Sequence, residues 1–226
     1  MKYTACIFDL DGTIINTIHS LTYTTNLVMH QCGLDTVLTE EQMKHIVGDG
    51  YRKQLERSLI ACGDKELTHY EEALRIYPEV FQQNCLYELE PYDGMLEMLH
   101  VMKQAGMKLA VLTNKPHTRA LDNIKAVYGE HFFDYILGEQ EGIPKKPDPT
   151  GVFHILKKLD IQPEQCLYMG DTNTDMRTAN AAGLDAVGAI WGFRTREELE
   201  SFSPKYLAER PLDVLEMIGL REDKQK

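Results

Sequence analysis

The sequence predicts an α/β fold: a Rossmann-like, doubly wound parallel sheet interrupted near its start by an all-helical insertion. A short apolar run at residues 5–8 ends in two carboxylates, Asp9 and Asp11. The following residues, 17–90, have helical patterning with hardly a strand among them. From Pro91 onward, short apolar runs alternate with amphipathic segments. This alternation is typical of the strand–helix units that build a parallel sheet.

The first strand ends in a pair of acids that can carry chemistry. Asp9 and Asp11 are two residues apart, so a persisting strand geometry projects both to one side, and Gly12 permits a sharp turn after them. Such a pair can bind a divalent metal, share a proton, or divide into a nucleophile and a general acid. The alternative is an ordinary Asp-Gly turn after a strand.

The composition narrows the class of protein. The chain has 226 residues and a net charge of −11, which disfavours a polymeric nucleic-acid partner and an anionic membrane surface. A small anionic substrate remains possible, since a pocket can be locally positive. Five scattered cysteines without a C-x-x-C pair, and a start that leads directly into a strand, predict reduced thiols and a cytoplasmic location. The oligomeric state is not predicted.

The helical insertion has recognisable boundaries. A first helix is expected from residue 18 to near Gly33, and a second one starts at a capping box at residues 39–42. A third ends at Gly63, and a second capping box at residues 68–71 predicts a fourth helix that ends near Cys85. We therefore expect an α/β domain of residues 1–16 and 86–226 and a helical domain of residues 17–85.

The rest of the chain predicts alternating helices and strands. The expected strands are residues 108–113, 132–137, 166–170 and 186–190. The expected helices are residues 95–104, 117–128, 149–159 and 175–182, with short helices after Thr195 and Pro211.

Polar residues stand where these strands end. Thr113 and Asn114 close one strand, Asp171 follows another with Asp175 four residues later, and Lys146 lies in a Lys-Pro-Asp-Pro turn between them. Each has an ordinary alternative, such as a helix cap or a solvated turn. Their coincidence at one edge of a parallel sheet, where ligands bind in such folds, predicts a site built from several segments.

These segments resemble the four motifs of the haloacid dehalogenase-like hydrolase superfamily. The motifs are Asp-Leu-Asp-Gly-Thr at 9–13, Thr-Asn at 113–114, Lys-Pro-Asp-Pro at 146–149 and Gly-Asp-Thr-Asn-Thr-Asp at 170–175. Their order matches, the resemblance covers essentially the whole chain, and the helical insertion lies where that family carries a cap domain. The chain looks most like the phosphoglycolate phosphatase group, whereas dehalogenases lack an acid at the position of Asp11.

The resemblance implies a role for each motif. Asp9 would be the nucleophile and form an aspartyl-phosphate, and Asp11 would be the general acid and base. Asp9, the backbone carbonyl of Asp11 and the carboxylate of Asp171 would hold Mg²⁺. Asp175 would be water-linked to the metal or lie behind its ligands; its alternative is an acid at a helix start. The phosphate would be bound by Thr113, the backbone of Asn114, and Lys146, which would also pair with Asp9.

The cap is expected to decide the substrate. Gly48 and Gly50 interrupt two helices, and Arg52 follows them. This segment resembles the Gly-x-Gly loop in caps of phosphoglycolate phosphatase-like proteins, where Arg52 would meet an anionic leaving group. The alternative is a helix–helix turn with surface charges. Asn16 stands where many relatives have an acid, and we expect it to affect cap hinging or substrate contact.

The expected activity is that of a Mg²⁺-dependent phosphatase acting on a small phosphomonoester such as 2-phosphoglycolate. A β-phosphoglucomutase-like phosphomutase, and a nucleotidase or pyrophosphatase of the same superfamily, remain as enzyme alternatives. A non-enzymatic phospho-acceptor protein is a different class, and the combination of Asp11, Lys146, Asp171 and a cap disfavours it. The expected partner is a small phosphorylated molecule.

Overall fold

The computed structural model describes residues 2–221 and divides the chain into two compact units. One unit comprises Met1–Asn16 and Glu90–Lys226 and contains the sheet. The other is Thr17–Leu89 and is helical.

Six parallel strands form the main sheet in the part of the chain that the structure describes. The strands are β1 (Ala5–Phe8), β4 (Lys108–Pro116), β5 (Tyr135–Glu139), β6 (Cys166–Gly170), β7 (Asp185–Ala189) and β8 (Tyr206–Ala208). Their order is β5-β4-β1-β6-β7-β8, so β1 is central. A separate antiparallel pair joins β2 (Ile15–Asn16) to β3 (Glu90–Pro91). The predicted doubly wound α/β fold is confirmed.

Helices cover the sheet. In the α/β unit they are α5 (Met95–Gln104), α6 (His117–Tyr128), α7 (Thr150–Leu159), α8 (Asn173–Ala182), α9 (Arg196–Glu200) and α10 (Asp213–Met217), with a 3₁₀ turn at Pro163–Gln165.

The core of this unit explains why β1 is an uninterrupted apolar run. All four residues of β1 are fully buried, as expected for a strand covered on both faces. Ile7 and its neighbour Tyr168 on β6 belong to a cluster with Val152 and Ile155 of α7 and Met176 of α8. Burial of each large apolar side chain contributes roughly 1.5–3 kcal/mol, so the strand that carries Asp9 is firmly held.

The helical unit contains α1 (Ile18–Gln31), α2 (Glu40–Ile46), α3 (Tyr51–Ala61) and α4 (Tyr70–Asn84). The side-chain amide of Asn26 on α1 donates to the carbonyl of Leu38 at 2.9 Å and accepts from its N–H at 2.8 Å. Tyr77 of α4 stacks on Tyr51 of α3 at 5.4 Å between ring centroids. These contacts join the helices of the unit to one another and to the segment before α2.

One of the two predicted capping boxes is present. Thr39 accepts from the N–H of Gln42, and the Gln42 side chain accepts from the N–H of Thr39. The box at residues 68–71 is wrong, because α4 starts at Tyr70 without a side-chain cap. The segment before α4 is instead fixed by Asp64, whose carboxylate accepts hydrogen bonds from the N–H groups of Thr68 and His69. A carboxylate earlier in the chain has replaced the expected threonine hydroxyl.

The predicted strand at 132–137 also lies too early. Phe132 and Phe133 form an aromatic cluster with Tyr128, with ring centroids 5.4 and 5.5 Å from Tyr128, and the strand begins only at Tyr135. The prediction began too early because aromatic residues are common in strands, whereas these two precede the strand and pack in an aromatic cluster. The short strands β2, β3 and β8 were not predicted, since two or three residues carry too little pattern.

Among residues 2–221, no helix combines the length and apolar character needed to cross a membrane. The cytoplasmic location stays a prediction.

The capping box at Thr39 gives a test of the helical unit. Thr39→Ala should lower its stability by about 1 kcal/mol, because the N–H of Gln42 loses its acceptor. Urea unfolding followed by circular dichroism measures the change. Thr39→Ser keeps the acceptor and should unfold near the wild-type midpoint; an equal loss in both variants would contradict this role.

Candidate active site

The predicted site residues lie at the point of the sheet where successive strands are added on opposite sides of β1. β1 is flanked by β4 on one side and β6 on the other, and Asp9 follows its last residue. Ligands in open α/β sheets bind at this crevice, beyond the carboxyl ends of the strands. The N–H of Asp9 donates to the carbonyl of Met169 at 2.8 Å, so the sheet pairing continues up to the acid.

Lys146 connects two of the acids. Its Nζ lies 2.8 Å from Oδ1 of Asp9 and 2.7 Å from Oδ1 of Asp175, and the lysine side chain is only 2% exposed. Asp175 also accepts from the hydroxyl of Tyr168 at 3.1 Å. The other oxygen of Asp175 accepts from the N–H and hydroxyl of Thr172, in the capping box of α8. Asp175 therefore orients Lys146 while it caps a helix.

Asn114 and Thr113 occupy the end of β4. The side-chain amide of Asn114 accepts from the N–H of Lys146 at 2.9 Å and donates to its carbonyl at 3.1 Å. This pair of hydrogen bonds fixes the backbone that carries the lysine. β4 continues to Pro116 and α6 begins at His117, so neither residue is a helix cap. The Thr113 hydroxyl accepts from the N–H of Lys115 at 3.2 Å.

Asp171 follows β6 and is fixed by two hydrogen bonds and by close packing against two glycines. Its two oxygens accept from the hydroxyl of Thr13 at 2.7 Å and from the N–H of Phe193 at 2.8 Å. A Cβ atom added to Gly12 would lie 2.3 Å from Oδ2 of Asp171, and one added to Gly192 would lie 2.2 Å from its Cβ. Glycine is required at both positions because any side chain there would displace the acid.

Asp11 has a different partner from the other acids. Its Oδ1 lies 2.7 Å from Nζ of Lys115, whose side chain is 3% exposed. Asp11 itself remains 21% exposed. The first motif therefore presents Asp9 to one lysine and Asp11 to another.

Asp9, Asp171 and Asp175 form a group that suits a hard metal cation. Their ligand oxygens all lie within 4.8 Å of one another, and all three residues are buried. Oδ1 of Asp9 is buried, and it forms an ion pair with Nζ of Lys146 at 2.8 Å. A buried set of carboxylates fits a hard divalent cation, whereas softer metals prefer histidine or cysteine ligands.

Burial and the neighbouring charges shift the pKa values of the acids in this group and of Lys146. Burial and the Asp175 carboxylate raise the pKa of Asp9 to about 7, although Lys146 opposes the shift. Burial, Asp175 and Asp9 raise the pKa of Asp171 well above its ordinary value. Burial acts to lower the pKa of Lys146, but Asp175 and Asp9 outweigh it and raise it. Lys146 pairs with two of the three buried acids, so the group retains negative charge that a divalent cation would neutralise.

Several residues of this arrangement were not predicted. Thr13 is the last residue of the first motif but was given no role, and Lys115 directly follows Asn114, so these positions were the available signal. Tyr168 was assigned only to a strand. Trp191, whose indole N–H donates to the carbonyl of Thr13 at 2.9 Å, carried no pattern that sequence reasoning could use.

The predicted specificity residues lie in the helical unit. Gly48 and Gly50 have positive φ values of 122° and 84°, which permits the turn between α2 and α3. Arg52 is exposed, and its guanidinium carbon lies 5.5 Å from the centroid of the Tyr51 ring. Arg57 donates to the carbonyl of Ile46 at 2.8 Å and so braces the turn. The role of Gly48, Gly50 and Arg52 in substrate recognition stays a prediction.

The raised pKa of Asp9 predicts a pH-dependent stability of the metal-free protein. The folded state binds this proton more tightly than the unfolded state, so stability is lost as pH rises from about 4 toward about 7. Asp9→Asn removes this loss, so the stability of the variant relative to wild type should be higher at pH 8 than at pH 5, by roughly 1–3 kcal/mol.

Urea unfolding of the metal-free protein at both pH values measures this difference. Asp148→Asn is a matched control, since Asp148 is an exposed acid whose pKa is lowered by its hydrogen bonds to Thr150. Saturating Mg²⁺ should abolish the advantage of Asp9→Asn. An advantage that does not change with pH, or that Mg²⁺ leaves intact, would contradict the crowded-carboxylate interpretation.

Comparison with known proteins agrees with the motifs. The sequence profile of the family described as "Haloacid dehalogenase-like hydrolase" matches residues 6–189. A phosphoglycolate phosphatase from Colwellia psychrerythraea is 31% identical over 204 residues, covering 88% of this chain and 90% of the relative. The pyrophosphatase PpaX from Listeria monocytogenes is 25% identical over 217 residues, covering 96% and 97%.

A solved structure from Lactobacillus delbrueckii subsp. bulgaricus extends this similarity to the fold. It superposes with a TM-score of 0.88 at 29% identity, covering 96% of this chain and 99% of the other. The resemblance predicted from the four motifs is thereby confirmed, and the chain belongs to the haloacid dehalogenase-like hydrolase family.

Proposed function

We propose that this protein is a Mg²⁺-dependent phosphatase that hydrolyses a small phosphomonoester through an aspartyl-phosphate on Asp9. The observation that carries the proposal is the contact of 2.8 Å between the buried Asp9 carboxylate and Lys146, beside the carboxylate of Asp171. Similarity to a phosphoglycolate phosphatase supports a phosphomonoester as the substrate class.

In the first step, a carboxylate oxygen of Asp9 attacks phosphorus and the bond to the leaving alcohol breaks. Asp11 gives its proton to the departing oxygen. In the second step, water attacks the phosphorus of the aspartyl-phosphate, Asp11 accepts a proton from that water, and inorganic phosphate leaves. Asp9 returns as a carboxylate, so both atoms and charge balance over the cycle.

Positive charge is essential because an anionic nucleophile approaches an anionic phosphate. Lys146 is fixed by Asn114 and Asp175 and meets Asp9 directly, so it can offset charge that builds during transfer. The Thr113 hydroxyl and the Asn114 backbone are the proposed phosphate contacts. The Asn114 side chain is engaged with Lys146, so its contribution to phosphate binding would come from its backbone.

Asp9, the backbone carbonyl of Asp11 and Asp171 would hold Mg²⁺. The bound ion would neutralise carboxylate and phosphate charge during transfer. Asp175 is a poorer ligand, because its two oxygens already accept from Lys146, Tyr168 and Thr172. We assign it to the positioning of Lys146.

We further propose that Thr17–Leu89 is the cap domain and that the remaining unit is the catalytic core. A carboxylated substrate of the 2-phosphoglycolate type is our first candidate. Inorganic pyrophosphate is the second, because a pyrophosphatase is also similar over nearly the whole chain.

A phosphate-release assay tests this function. Purified protein should release inorganic phosphate over many turnovers from at least one substrate in a panel containing 2-phosphoglycolate, sugar phosphates, nucleotides and pyrophosphate. EDTA should abolish the release and Mg²⁺ should restore it. Asp171→Asn should weaken the apparent affinity for Mg²⁺ at least tenfold, because it removes a charged ligand oxygen.

Asp148→Asn serves as the control, since it removes an exposed acid outside the cluster. Full activity in chelator would contradict the metal assignment. Consumption of one equivalent of the ester, with its alcohol released and no inorganic phosphate, would indicate a phospho-acceptor, and return of phosphate to an isomer of the substrate would indicate a phosphomutase.

A further inference from the structure

We propose that Lys115 is the positioning residue for Asp11, the proposed general acid and base. The inference rests on the proposed function and adds a residue that none of the four motifs assigns to catalysis. Its starting point is the ion pair of 2.7 Å between Nζ of Lys115 and Oδ1 of Asp11.

Three features of the backbone around Lys115 fix the direction of its side chain. The pairing of β4 with β5 changes register between Leu112 and Pro116, and such irregularities redirect the side chains near a strand end. The N–H of Lys115 donates to the Thr113 hydroxyl at 3.2 Å. A Cβ atom on Gly138 would lie 2.7 Å from the carbonyl oxygen of Lys115, so β5 packs closely against the backbone of Lys115.

Burial makes the contact specific. The Lys115 side chain is 3% exposed, and a buried ammonium needs a charged or hydrogen-bonding partner. Asp11 provides a carboxylate and is still 21% exposed. One oxygen of Asp11 is therefore fixed by Lys115, while the carboxyl group as a whole remains accessible for proton transfer.

The two lysines of the site consequently serve different acids. Lys146 contacts Asp9 and Asp175, whereas Lys115 contacts Asp11. Proton transfer depends steeply on the placement of the acid, because the reacting atoms must come within hydrogen-bond distance. Loss of Lys115 should therefore impair the step that uses the proton and leave phosphate binding largely intact.

Leaving-group dependence separates this role from a general structural one. An alkyl phosphate needs protonation of its leaving oxygen, whereas p-nitrophenyl phosphate releases a weakly basic phenolate. Lys115→Met should lower kcat/KM for the alkyl substrate about 10–100-fold and kcat/KM for p-nitrophenyl phosphate less than about threefold, because kcat/KM reports the first step, in which only the alkyl leaving oxygen needs the proton. Hydrolysis of the aspartyl-phosphate, which also uses Asp11, is common to both substrates and contributes to kcat alone.

A matched control lies on the same strand. Lys108, at the opposite end of β4, pairs with Asp134 at 3.1 Å, and Lys108→Met should leave both substrates unaffected. In an Asp11→Asn background, Lys115→Met should cause little further loss on the alkyl substrate, because the group that it positions is already absent.

The outcomes are distinct. Equal losses of kcat/KM on both substrates, or losses that add to those of Asp11→Asn, would overturn the positioning role and leave the phosphatase proposal standing. A KM increase shared by all phosphate esters would overturn it too, because Lys115 would then bind phosphate itself. Absence of wild-type phosphatase activity on every ester would overturn both proposals.

Discussion

The structure of the site depends on one buried charge, the ammonium group of Lys146. It lies between Asp9 and Asp175 at 2.8 and 2.7 Å, with almost no exposure to solvent. Removal of a partner from a buried ion pair is costly, because the remaining charge has lost its hydration without compensation. The nucleophile proposed here is therefore placed by electrostatics as well as by the strand that precedes it.

Much of the surrounding sequence can be understood as support for that charge. Asn114 fixes the lysine backbone through two hydrogen bonds, and Asp175 is fixed by Thr172 and by the Tyr168 hydroxyl. Gly170 is part of the same constraint, since a Cβ atom there would lie 2.2 Å from the Cβ of Asp175. Segments far apart in the chain thus meet at one ammonium group.

Sequence reasoning predicted the fold and the acids because both follow from simple patterns. An apolar run ending in Asp9 identifies a buried strand and its carboxyl end, and a parallel sheet brings such ends to one edge. The resemblance implied the pairing of Lys146 with Asp9, whereas the pairing of Lys115 with Asp11 was not predicted, because it depends on side-chain direction after a register shift. Similarly, the capping pattern at Thr68 could not reveal that Asp64 would accept the hydrogen bonds of the N–H groups of Thr68 and His69.

The most direct test of the account is the covalent intermediate. We predict that rapid acid quench during turnover, followed by peptide mass spectrometry, will find a phosphoryl group on Asp9. The signal should disappear in Asp9→Asn and persist in Asp148→Asn, whose exposed acid lies outside the buried cluster. Efficient turnover with no phosphoryl adduct at any time point, or with the adduct on another residue, would contradict the central claim.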